Sequence, residues 1–348
     1  MILTGKLPAQ ALTFNSMFRS IASAGSAEVI SRLVSVREQI ESLESVTTFT
    51  LNLLNLFTIW FPLIDFGGDM WTTKNRARYD RSRLRYPSDL TDDEWAWIRP
   101  LIPPAKRGGN KRTVVERDLV NGLMYILSTG CQWAALPRDL PPRSTVNDYF
   151  RRWTDDGTLD RLHHALYVEC RELAEREASP TAAIIDSQSV KSAEKGGVSI
   201  DPHGYDAGKK IKGKKRHVLV DTQGLLLHAI VHAADIQDRD GGVLLMSTLF
   251  GLFPFLLKLY ADSGYQGPQF QQGLKQACEQ INVEIVKRSD TGKFVVLPKR
   301  WIVERTIAWL NRCRRLAKDW ECLNRNGLAF LHWASVRLMV RKLCQSSK

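Results

Sequence analysis

The chain has only six cysteines, Cys131, Cys170, Cys278, Cys313, Cys322 and Cys344, and no two of them form a CxxC pair. No histidine cluster stands beside them. That spacing argues against a zinc site and against a disulfide framework, and predicts free thiols in a reducing cytoplasm. The chain also lacks an apolar run of the ~20 residues that a bilayer-spanning helix requires. Its nearest approach, FTLNLLNLFTIWFPLI from Phe49 to Ile64, is shorter and carries Asn52, Asn55 and Pro62. It lies too far into the chain for a secretory signal, and no charged segment directly precedes it. Membrane insertion is therefore not expected. Acid is scarce relative to base: 37 Asp and Glu stand against 49 Lys and Arg, for a net charge of +12. Such a balance favours nucleic acid or an anionic surface as partner and says nothing about fold.

What is present divides into unlike parts. Residues 1–69 carry four basic and six acidic side chains, so the whole excess of positive charge lies after Met70. The character changes abruptly at Met70-Trp71-Thr72-Thr73-Lys74. This suggests that residues 1–69 are an atypical N-terminal extension and that translation starts naturally at Met70. N-terminal sequencing of protein from the native gene would test that.

Residues 70–178 read as a helical domain. Thr91-Asp92-Asp93-Glu94 is a capping box, followed by Trp95, Ile98, Leu101 and Ile102 at helical spacing. Pro103-Pro104 stops this helix. A second is expected over about Thr113–Ser128, with Gly130 as its stop. A third begins near Ser144 and a fourth spans about Leu159–Ala178. Short helices with tight turns, the third bearing Asn147, Arg151 and Arg152, fit a helix-turn-helix that presents those residues to DNA. The same pattern fits a plain helical bundle with a solvated basic face.

Residues 179–348 read as α/β. Strands are expected at 182–187, 216–221, 225–233, 256–261 and 283–287, with Thr222-Gln223-Gly224 as a hairpin turn. Helices are expected around Gly241–Leu252 and Pro268–Gln280, and a long one from Trp301. Two apolar runs end in a carboxylate, Asp186 and Asp262. A third acid, Glu304, sits in a basic, aromatic helix. Carboxylates at the ends of buried strands are costly unless paired. Three brought together can hold divalent cations, which clamp the attacking and leaving oxygens of a phosphodiester. Taken singly, such residues are more often turn or cap residues, or a surface ion pair. Asp221, Asp235, Asp238 and Asp240 compete for the same role.

The order of three strands, helix, strand, helix, strand, helix resembles the ribonuclease-H-like fold, a mixed sheet flanked by helices. The segments Asp186-Ser187-Gln188-Ser189-Val190-Lys191, Gly204-Tyr205-Asp206-Ala207-Gly208-Lys209-Lys210-Ile211-Lys212-Gly213-Lys214-Lys215-Arg216-His217, Ala261-Asp262-Ser263-Gly264-Tyr265 and Trp301-Ile302-Val303-Glu304-Arg305-Thr306 resemble a DDE transposase of the IS5 family, within the IS4-like group. The resemblance covers residues 86–345. It implies an insertion-sequence transposase that binds terminal inverted repeats, cleaves DNA strands and joins the 3′-OH to target DNA. It further implies Asp186, Asp262 and Glu304 as catalytic metal ligands for two Mg2+ or Mn2+ ions. Double-stranded DNA is the partner, a homodimer or higher oligomer forms the synaptic complex, and no small-molecule cofactor is needed. The setting is the cytoplasm, and the nucleoid when bound to DNA. In the group's Tyr-x2-Arg-x3-Glu-x6-Lys signature, Arg300 and Glu304 match, while Leu297 and Asn311 stand in place of the Tyr and the Lys. The run Lys209, Lys210, Lys212, Lys214, Lys215 and Arg216 reads as a phosphate-binding edge. Arg300, Arg305 and Arg312 add a basic helix for DNA. An inactive remnant or a DNA-binding regulator is the alternative.

Overall fold

The computed structural model describes residues 80–105, 112–193, 200–249, 251–286 and 299–346. Residues 1–69, the Met70 boundary, the Phe49–Ile64 run and Leu297 lie outside the described residues.

The helical part begins with α1 (Asp92–Ile98), where the expected capping box is formed. Thr91 Oγ1 accepts from the Glu94 amide at 3.1 Å, and Glu94 Oε2 accepts from the Thr91 amide at 3.0 Å. Two donors that the first helical turn leaves open are thereby satisfied. In α2 (Glu116–Thr129) the apolar face of Leu119, Leu123, Met124, Ile126 and Leu127 is buried. Gly130 ends it in the left-handed conformation, φ 69°, which glycine adopts without steric cost. Then come α3 (Arg143–Asp155) and α4 (Thr158–Glu172). The fourth helix stops short of the expected Ala178: residues 172–178 are exposed and offer nothing to bury, and the Arg171 guanidinium instead holds the Glu177 carbonyl.

The rest is a six-stranded mixed sheet. Its strands are β1 (Ala182–Lys191), β2 (Gly204–Asp206), β3 (Ile211–Asp221), β4 (Leu226–Ala233), β5 (Lys258–Ala261) and β6 (Asn282–Ile285). The order runs β2-β3-β1-β5-β6, with β4 also on β3. β3 pairs antiparallel with β1, β2 and β4, whereas β5 is parallel to both β1 and β6. Helices α5 (Asp238–Ser247), α6 (Pro268–Ala277), α7 (Arg300–Asn311) and α8 (Asn324–Ser346) complete the chain. Between β3 and β4 the expected turn at Thr222–Gly224 is present, with Gly224 at φ 84°.

Three differences from the sequence reading have a common cause. β1 runs four residues beyond 187, β3 begins five residues before 216, and β2 was not expected. All three involve polar or basic residues that lengthen strands because neighbouring strands satisfy their backbone groups. The long helix expected from Trp301 is also interrupted, by a 3-10 turn at Arg314–Leu316 before α8.

Helix α8 ties the molecule together. Phe330 stacks on Phe150 of α3 at 4.6 Å, and Trp333 packs at 6.0 Å against Trp153. Each such ring contributes roughly 1.5–3 kcal/mol by leaving water. His163 of α4 meets Ser335 at 3.0 Å. The helices and the sheet therefore share one hydrophobic core. Among the described residues no helix is long and apolar enough to cross a membrane.

Candidate active site

Parallel pairing of β1 with β5 sets the first two acids. Ile184 lies opposite Tyr260, so two residues further along each strand bring Asp186 and Asp262 to the same level. Asp186 is in the middle of β1, not at a strand end as its apolar run suggested. Its Oδ1 accepts from the Ser187 amide at 2.7 Å. Burial pushes the Asp186 carboxyl up to about 6; the charge of Asp262 adds to this, while the Ser187 amide, Arg300 and Lys209 oppose it. Asp262 follows the last residue of β5 and caps the 3-10 turn Ser263–Tyr265, accepting from the Gly264 amide at 2.8 Å.

The third acid comes from α7. Arg300, one turn before Glu304, places Nη2 at 3.1 Å from Asp262 Oδ2 and 3.6 Å from Glu304 Oε1. The guanidinium thus joins two of the three acids, and its charge goes to them rather than to an open DNA-facing surface as the sequence suggested. Lys299, absent from the sequence reading, fixes the start of α7: its ammonium donates to the Tyr260 hydroxyl and lies 4.2 Å from that ring's centroid. Among the described residues no three His, Cys, Asp or Glu side chains converge closely enough to hold a metal ion. The donors nevertheless suit a hard divalent cation, since all are carboxylate oxygens. Burial, and secondarily the neighbouring Asp262 charge, make the ionised Asp186 costly here, a cost that a bound cation would offset.

The basic run is split. Lys209, Lys210 and Lys212 are exposed. Lys214, Lys215 and Arg216, expected at a phosphate-binding edge, are buried. Lys214 Nζ donates to the Asp201 and Pro202 carbonyls and to Asn324 Oδ1 at 2.7–2.9 Å. Lys215 Nζ pairs with Asp238 at 2.9 Å, and Arg216 Nη1 reaches the Leu316 carbonyl at 2.8 Å. Their position on β3, between β1 and β4, turns them into the molecule. Arg305 is partly buried between Trp301 and Trp309, 4.4 and 4.7 Å from the ring centroids, while Arg312 is exposed. On α3, Val146, Phe150 and Trp153 face the core. Arg151 and Arg152 remain exposed and Asn147 is half-buried.

The sheet order brings one carboxylate on β1 level with another just past the end of the parallel strand β5, with a third on a following helix. Comparison with known proteins supplies the class. Residues 177–339 match the family model described as "Transposase DDE domain", and residues 90–163 match "Putative transposase of IS4/5 family". The "Insertion element IS402 uncharacterized 16.2 kDa protein" of Burkholderia cepacia is 32% identical over 109 residues, 29% of this chain and 73% of that protein. The "Putative transposase for insertion sequence element IS402" of the same organism is 32% identical over 144 residues, 38% of this chain and 63% of that protein. "Uncharacterized protein y4sN" of Sinorhizobium fredii (strain NBRC 101917 / NGR234) is 28% identical over 102 residues, 29% of this chain and 75% of that protein. The chain belongs to the IS4/IS5-type DDE transposases. It is an insertion-sequence transposase, its catalytic part has the ribonuclease-H-like fold, and its family is metal-dependent and acts on DNA.

Proposed function

We propose that this transposase binds the terminal inverted repeats of its element through residues 70–178, and that residues 179–348 cut the ends and join them to target DNA. The observation that carries the catalytic assignment is the level placement of Asp186 and Asp262, with Arg300 linking Asp262 to Glu304. Asp186, Asp262 and Glu304 are the residues that would hold two Mg2+ or Mn2+ ions. Bound there, the ions would neutralise phosphate charge and polarise the attacking and leaving oxygens.

The protein's own contribution is position and charge. Asp186 is anchored by its own strand, so its orientation is set before DNA arrives. Glu304 has 52% of its side chain exposed, against 17% for Arg300 and 22% for Asp262, and is free to turn toward the other two acids. In the first step water attacks phosphorus and the 3′ oxygen departs with a proton. In the second, that 3′-OH gives up its proton and attacks a target phosphorus, and the target strand's own 3′ oxygen leaves and takes up a proton.

On the DNA side, Arg151, Arg152 and Asn147 of α3 face the inverted repeat. Lys209, Lys210, Lys212, Arg312 and, on opening of its Trp sandwich, Arg305 line the backbone. Two or more copies assemble the synaptic complex on cytoplasmic, nucleoid-associated DNA.

The test is cleavage and joining of DNA bearing the element's ends, with Mg2+ or Mn2+. Wild type should give strand-transfer products, while Asp186→Asn, Asp262→Asn and Glu304→Gln bind the ends without cutting. Cleavage by any of the three removes that acid from the site. A wild type that binds ends and never cuts is a DNA-binding remnant.

A further inference from the structure

The family-like motifs contain more polar residues than three metal-holding acids require. Ser187, Ser189, Asp206, Lys209, Lys215 and Tyr265 all fall within or beside them, and the structure gathers them around Asp238 of α5. Successive residues of a strand point to opposite faces. Asp186 interacts with Arg300 of α7, while Ser187 turns its hydroxyl to α5, donating to Asp238 Oδ1 at 2.8 Å. Lys215 Nζ lies 2.9 Å from the same oxygen and 3.5 Å from Asp206, which accepts from Ser189 at 2.5 Å. Lys209 Nζ holds the Ser187 carbonyl at 3.1 Å. With its amide on Asp186, its carbonyl on Lys209 and its hydroxyl on Asp238, Ser187 has every polar group engaged.

Asp238 also borders the other strand's acid. A Cβ placed on Gly264 would lie 2.9 Å from Asp262 Oδ1 and 3.4 Å from Asp238 Oδ2, so the two carboxylates flank the same glycine. Helix α5 lies close against the sheet at its two glycines. A Cβ at Gly241 would overlap the His217 and His232 rings, and one at Gly242 would overlap Tyr265. Tyr265 is itself buried and bonded to His217 Nδ1 at 3.1 Å.

We infer that Asp238 is a positioning residue for metal binding: through Ser187 and the Gly264 turn it keeps Asp186 and Asp262 at a fixed separation from the far face of the sheet. The inference rests on those two aspartates being the metal-holding pair. Small displacements of such groups are costly because a preorganised site depends on supporting contacts as well as on its ligands.

The test is Mn2+ binding to the full chain without DNA, read as free Mn2+ by electron paramagnetic resonance, with a circular-dichroism melt of each variant. Asp238→Asn and Ser187→Ala should each weaken Mn2+ binding about tenfold, the size of loss typical for an outer-shell partner. Ser187→Thr, which keeps the hydroxyl, should restore binding, and all three should melt close to wild type. If Asp186→Ala binds Mn2+ as wild type does, the metal-holding assignment fails and the inference with it. If Asp186→Ala loses the ion while Asp238→Asn and Ser187→Ala keep it at full affinity, only the positioning inference fails. Weakened binding matched in both variants by loss of the folded state also overturns it, in favour of a purely structural brace.

Discussion

The two halves of the basic run differ as much as any two regions of the molecule. Lys210 and Lys212 face solvent and Lys209, though exposed, donates from Nζ to the Ser187 carbonyl, whereas Lys214, Lys215 and Arg216 are at most 5% exposed. Each half carries three cations, and the two adjoin in sequence. The first lies at the turn into β3, where one side is open. The second lies where β3 acquires β4 on one edge and β1 on the other. Cations entering that space need an acceptor for each donor. Lys214 and Arg216 find carbonyls and an amide oxygen, and Lys215 finds Asp238 and Asp206. A local count of positive charge therefore does not identify a DNA-binding surface; the direction of each side chain does.

The comparison breaks most clearly by truncating the inner half. Lys214→Ala should lose about 3 kcal/mol of stability in urea denaturation, because three oxygens are left buried without their donor and a cavity opens. An unchanged midpoint would mean that Lys214 faces water after all.

A second effect of similar size follows from acid. His217 continues the inner half of β3, and burial lowers it to about 3; His163 and His232 are lowered for the same reason. These rings stay neutral in the folded protein while the unfolded chain takes up protons near its ordinary value of about 6.5. The stability they contribute is present above about pH 6.5 and is lost as pH falls toward 3. His217 alone should account for about 3 kcal/mol between pH 7 and pH 4. Thermal melts across that range measure it, and His217→Gln should flatten the slope.

Asp186 runs in the opposite sense. Its folded value, about 6, is raised above the unfolded one, so ionising it costs the metal-free folded protein more than the unfolded chain, and stability falls as pH rises from the unfolded value through 6. Asp186→Asn should raise stability by about 1–2 kcal/mol without metal, while abolishing cleavage. A loss of stability in that variant would show that the carboxylate is already well paired.

The outer half supplies the smallest stability effect. Lys210→Ala and Lys212→Ala should change stability by less than about 0.5 kcal/mol. Each should weaken DNA binding and lower the slope of log affinity against log salt by about 0.9. An unaltered slope in both removes this edge from the DNA path.

Much of the fold was legible because its signals are local. The Thr91–Glu94 capping box, Gly130 as a helix stop, and the turn ending at Gly224 each depend on residues within a few positions of one another. Strand ends were less legible. β1 continues through Gln188, Ser189 and Val190 because β3 pairs with it at every one of those positions, a partner about 25 residues away that no local pattern announces. The same holds at the site. Asp186, Asp262 and Glu304 could be singled out from their motifs, but Asp238 was only one of several competing acids. Its contact with Ser187, 51 residues away in the chain, distinguishes it from the others.

The sequence by itself determined the family, the excess of base over acid, and the helices and strands whose apolar spacing or caps are written locally. Tertiary structure alone decided which cations are exposed and which are enclosed, that Asp186 and Asp262 stand level on β1 and at the end of β5, and that Arg300 lies between Asp262 and Glu304. The reason is physical: propensities and caps act over one or two turns of chain. Burial and charge pairing depend on which distant strand arrives alongside, and here β3, β5 and α5 make that choice.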